Sequence, residues 1–151
     1  MGVIYDAIED FFKKDEWPAV PIQGQTAISV NFRGKNGQWT CYAKADEEKQ
    51  IAMFYSYCPV KVPEDKRPIM ADFLTRANYG LYIGNFEMDY NDGEVRFKTS
   101  LDVEGDSLSY DLMKRLAYNN VGVMDRYLPG IMQVTYGGAS PQEAIAKVEG
   151  S

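Results

Sequence analysis

The sequence predicts an α+β fold in which a five-stranded antiparallel sheet packs one face against helices. Three observations lead there. Stretches of strict apolar–polar alternation recur between residues 27 and 103, as half-buried strands require. The pairs Asn36-Gly37 and Asp92-Gly93 separate such stretches and are turn formers that join antiparallel neighbours. Three- and four-residue apolar spacing marks both ends of the chain and one central segment as helical.

In chain order, Ile4, Ala7, Ile8, Phe11 and Phe12 form the stripe of an amphipathic helix, and Trp17-Pro18 and Pro21 stop helical structure. Ile28, Val30 and Phe32 then alternate with Ala27, Ser29 and Asn31. With Asn36-Gly37 as a two-residue loop, Phe32 falls opposite Cys41 and Val30 opposite Ala43. A reversal at Asp46 to Lys49 leads to a third strand, with Ala52 and Phe54 inward and Ile51, Met53, Tyr55 and Tyr57 outward. Ile69, Met70, Phe73, Leu74 and Ala77 give a second helix, which Gly80 suits as a C-terminal cap. The runs 81–89 and 94–103 pair across Asp92-Gly93, so that Asp89 faces Arg96, Glu87 faces Lys98, Met88 faces Phe97 and Tyr90 faces Val95. Asp106-Ser107 opens a long helical stretch in which Pro129-Gly130 marks a kink or break, and Ser140 to Glu143 has the residues of a capping box before a short last helix. The order is α-β-β-β-α-β-β-α-α, within one expected domain over residues 1–151.

The residues that carry most chemistry are missing. Without histidine there is no Ser-His-Asp triad and no imidazole metal ligand. Cys41 and Cys58 lie in strand-like runs and are expected as buried or half-buried thiols, not as zinc ligands. The segment Asp89 to Glu94 has glycine at its fifth position and lacks the terminal glutamate of a calcium loop, so it is a turn. No phosphate-binding glycine motif occurs. A formal net charge of -6, from 22 acidic and 16 basic residues, opposes binding to nucleic acid or an anionic membrane. The N-terminus lacks the pattern of a secretory signal and no segment is apolar enough to span a bilayer, so the expected location is the cytoplasm. No cofactor, metal site or catalytic residue is expected.

The positive signal is a patch. Tyr42, Ile51, Met53, Tyr55 and Tyr57 gather on the sheet face away from the helices, where a solvated face is normally polar. Either it binds a partner, or the C-terminal helices or a second subunit cover it.

Four segments also resemble a known family: Val62 to Pro68, Asn78 to Leu81, Ile83 to Asp89 and Asp92 to Arg96 are similar to the YbjN-like bacterial proteins, labelled sensory transduction regulators. The resemblance implies a fold like that of the type III secretion chaperones, usually dimeric and binding extended segments of client proteins. It implies no catalytic residues. The expectation is a homodimeric, non-enzymatic module that holds a protein or peptide client. The alternative is a small-ligand sensor with a pocket between the helices and the inner sheet face, and a carboxylate-based hydrolase stands third.

Overall fold

The computed structural model describes residues 2–150, so the two end positions of the expected domain lie outside the described residues. Helix α1 spans Val3–Lys14, and strands β1 Ala19–Pro21, β2 Ala27–Arg33, β3 Gln38–Asp46 and β4 Ile51–Tyr57 follow. A short 3-10 turn precedes helix α2, Arg67–Asn78. Strands β5, Asn85–Met88, and β6, Val95–Asp102, then lead to helices α3, Tyr110–Thr135, and α4, Pro141–Glu149.

The sheet therefore has six strands, not five, in the order β1-β2-β3-β4-β6-β5, with every pair antiparallel. The additional strand is β1, hidden in the sequence by Pro18 and Pro21. At a sheet edge a proline leaves no ladder bond unmade, so the residues that stop α1 can still pair with β2.

Both hairpins sit two residues from their expected registers. Phe32 pairs with Trp39 and Val30 with Cys41, across a loop of Gly34 to Gly37. Glu87 pairs with Arg96 and Met88 with Val95, across a loop of Asp89 to Glu94. Tertiary contacts and local side-chain turns hold these wider loops. The Asp125 carboxylate of α3 accepts the backbone N–H groups of Lys35 and Asn36 at 2.9 and 2.7 Å. In the other loop, Asp89 and Asp92 side chains accept the amides of Asn91 and Glu94, and Gly93, at φ 78°, lies against the Val62 backbone. A shift of two residues leaves each side chain on its expected face.

The inner face carries Ile28, Val30, Cys41, Ala43, Ala52, Phe54, Val95 and Phe97, all buried. Against it pack α1, through Phe12 on Phe54, and α3, through Tyr127 on Phe86. Helix α2 packs on β5 and α3. Helices α1, α2 and α3 thus form the layer on this face, and α4 packs on α2 and α3. Helix α3 begins later than expected, because the Ser109 hydroxyl takes the Leu112 amide at 3.1 Å, and it runs unbroken through Pro129. Helix α4 starts on the expected capping box of Ser140 and Glu143.

Polar contacts fix this layer. Buried Asn120 of α3 donates to the Phe54 and Phe97 carbonyls at 2.7 and 3.0 Å, and Thr99 of β6 donates to the Leu116 carbonyl at 2.9 Å. The Glu47 carboxylate, in the β3–β4 turn, accepts the Ile4 and Tyr5 amides at 3.1 and 2.8 Å and so closes the N-terminus of α1. At the other end of α1, Asp15 accepts from the Trp17 indole, Tyr110 and Tyr118. Those hydrogen bonds, Tyr110 first, hold its carboxyl below the usual range.

Replacing Asn120 with alanine leaves two sheet carbonyls without this donor inside the core. The expected loss is about 1–3 kcal/mol, read as a lower urea midpoint with an unchanged slope.

Candidate functional site

The opposite face of the sheet is built by the alternate residues of the same strands, and no helix packs on it. Tyr42 on β3 lies directly across from Tyr55 on β4, and Lys44 across from Met53. On the other side of β4, Tyr55 neighbours Lys98 and Tyr57 neighbours Arg96 of β6. The adjacency of β4 and β6 therefore brings the aromatic residues of one hairpin against the cations of the other.

The contacts are specific. The Arg96 guanidinium stands 4.4 Å from the Tyr55 ring centre and 6.0 Å from that of Tyr57, and Lys44 stands 5.4 Å from Tyr55. Each such contact contributes about 0.5–2 kcal/mol, more as water is excluded. Arg96 also donates to the Tyr57 hydroxyl at 3.2 Å and to Glu87 at 2.8 Å, while Lys98 donates to Glu87 at 3.0 Å. Tyr42 meets Tyr57 edge-on at 5.2 Å, and the Tyr55 hydroxyl points to the Met53 sulfur at 3.4 Å. Burial alone would raise the Glu87 pKa, but the hydrogen bonds and charges of Lys98 and Arg96 hold it below the usual carboxylate range.

All five residues singled out from the sequence lie on this face, in different environments. Tyr42, Ile51, Met53 and Tyr57 are half-buried, whereas Tyr55 is only 7% exposed, roofed by Arg96 and Lys44. Ile51 sits at the end of the face beside Asp46 and Asp102, apart from the aromatic group. Sequence reasoning missed Lys44, Arg96 and Lys98 as members of the site. Arg96 and Lys98 had the right parity, but their place beside Tyr55 and Tyr57 depends on which strands are neighbours. The face is thus amphipathic rather than bare: tyrosine and methionine surrounded by three cations, with Glu87 as the carboxylate between two of them.

Other candidate chemistry is sparse. Among the described residues no group of three His, Cys, Asp or Glu is arranged to hold a metal ion. Cys41 is buried and Cys58 half-buried, and burial pushes both thiols up to about 11. The inner face, where a ligand pocket was the alternative, is packed with Phe54, Phe97, Met113 and Met124, which are fully buried. No helix among the described residues is long and apolar enough to cross a membrane.

Residues 5–132 match the family YbjN, described as "Putative bacterial sensory transduction regulator". The chain belongs to the YbjN family. In keeping with this, it is similar in fold to the crystal structure of YbjN from E. coli, with a TM-score of 0.60 and 10% identity over 89% of each chain. It also resembles a chain of the structure of the Yersinia pestis type III secretion chaperone SycH in complex with a stable fragment of YscM2. There the TM-score is 0.50 at 10% identity, over 87% of this chain and 98% of that one. A third likeness is to the HopA1-SchA chaperone-effector complex, with a TM-score of 0.53 and 16% identity over 85% of this chain and 91% of that one. No curated protein sequence matches the chain. For this YbjN-family chain the likenesses establish an α+β fold of type III chaperone kind, built on an antiparallel sheet.

The lowered pKa of Glu87 fixes a sign. Its hydrogen bonds and charges stabilise the fold above the unfolded glutamate pKa, and that contribution is lost as pH falls through the lower folded value. Glu87→Gln is expected to lower the melting temperature at pH 7 and to approach the native chain as the pH falls below the ordinary glutamate range; thermal melts over a series of falling pH measure the convergence.

Proposed function

We infer that the chain is a non-enzymatic, protein-binding module, chaperone-like or regulatory, that holds an extended segment of a partner on the open sheet face. The observation that carries this reading is the cluster of Tyr42, Met53, Tyr55 and Tyr57 with Lys44, Arg96 and Lys98 on a face no helix covers. Aromatic residues, methionine and arginine are the types enriched where proteins bind one another. In a chain of net charge -6, a locally cationic face also selects its partner. The segment it fits alternates apolar side chains, to lie on the tyrosines and Met53, with carboxylates that meet the cations.

The family and the fold support the reading. The structures that share the fold include a chaperone in complex with a partner fragment and a chaperone-effector complex. The whole chain acts as one domain in this proposal, works as a homodimer, and does so in the bacterial cytoplasm, where its two free cysteines would stay reduced. If the homodimer instead sealed the open face, that face would be a self-interface and the client reading would fall.

The test pairs Tyr42→Ser and Met53→Ser on the face with Arg115→Ser on the exposed flank of α3. Tyr55 is the poorer choice, because it is buried beneath Arg96 and its loss would disturb the fold. With melting temperatures matched, crosslinking and mass spectrometry are expected to recover partners with the native chain and with Arg115→Ser, and to lose them at least about tenfold with the face variants. Equal recovery by all three variants would falsify the assignment.

A further inference from the structure

The middle of α3 breaks a local rule. Proline and glycine are the two residues least suited to a helix interior, yet Pro129 and Gly130 stand side by side in an unbroken helix. Pro129 has no N–H to give the Asp125 carbonyl, and the Asn36 side-chain amide takes that role at 2.9 Å. Together with the Asp125 carboxylate on the Lys35 and Asn36 amides, this holds the β2–β3 turn beside the proline. At Gly130 a Cβ would stand 2.5 Å from the Phe73 ring and 2.9 Å from Val148, so glycine lets α2 and α4 close on α3.

Between α3, α4 and that turn lies a cavity of about 340 Å³. Its buried lining is apolar, made by Gly130, Ala144 and Val148, and its exposed rim carries Pro129, the polar Asn36 and Gln133, and the cations Lys35, Arg126 and Lys147. Among the described residues none of the three cations forms a salt bridge. Arg126 lies over the Tyr127 ring at 5.4 Å. Of the carboxylates adjacent along the chain, Asp125 is taken up by the backbone amides of Lys35 and Asn36 in the turn that walls the cavity, and Glu149 by the Tyr127 hydroxyl at 2.7 Å.

We propose that this cavity binds a small organic anion whose carboxylate meets the cations of the rim and whose acyl body lies on the apolar lining. A neutral apolar ligand would draw nothing from the three rim cations, and a bare anion would leave the apolar lining uncovered. The volume is at the lower end of small-molecule sites, which suits a medium-chain carboxylate and not a long lipid. The cavity lies on the helical side of the molecule, so the proposal is independent of the partner-binding reading.

Titration of the full chain with octanoate, followed by amide chemical shifts, tests it. Octanoate is expected to move the Gly130, Ala144 and Lys147 resonances saturably, while acetate and octan-1-ol bind about tenfold more weakly or worse. Lys35→Glu and Lys147→Glu change exposed side chains; their unliganded melting temperatures should stay native and their octanoate affinities fall about tenfold at low ionic strength. The proposal is overturned by an absence of saturable shifts at these residues, by octan-1-ol or acetate binding as tightly as octanoate, or by native affinity in both variants.

Discussion

A sheet whose helices all lie on one side must end its other side in water or against a partner. That constraint governs this molecule. Strand alternation sends Phe54, Phe97 and their neighbours to the helices and, by the same period, sends Tyr42, Met53, Tyr55 and Tyr57 away from them. A solvated face would carry mostly short polar or charged side chains. Here the apolar bodies of the tyrosines are partly shielded by Arg96 and Lys44, which keep their charges at the surface. The result is a face stable in water that still has apolar area to give up on binding.

The layer behind that face is held by groups distant in sequence. Glu47 ties the β3–β4 turn to the start of α1, Asp125 ties the β2–β3 turn to α3, and Asn120 joins α3 to β4 and β6. These contacts fix both ends of β3 and the middle of β4, the strands that carry all five expected binding residues. A rigid platform lowers the ordering cost of binding an extended segment. The same Asp125 contact shapes the cavity beside Pro129, so one carboxylate serves the geometry of both sides of the molecule.

Much of this was legible in the sequence, for a definite reason. Period-two and period-3.6 patterns are local, and they gave the helices, five strands, the capping box at Ser140 and the correct face for each of Tyr42, Ile51, Met53, Tyr55 and Tyr57. Register was not legible, since Asp125 and the Asp89 and Asp92 side chains widened loops that Asn36-Gly37 and Asp92-Gly93 suggested would be tight. Strand β1 was concealed because a proline that ends a helix and a proline that edges a sheet look alike. The cations of the face were hidden for a third reason: only the strand order places Arg96 over Tyr55, and strand order is a non-local fact.

The central claim is that the open face, and not the helical side, meets the partner. Hydroxyl-radical footprinting of the captured complex against the free protein reads this at single side chains. Oxidation of Tyr42, Met53 and Tyr57 is expected to fall on complex formation while Tyr118 and Tyr136, which are exposed on the helical side, react as before. Protection of Tyr118 or Tyr136 with Tyr42, Met53 and Tyr57 unchanged would contradict it.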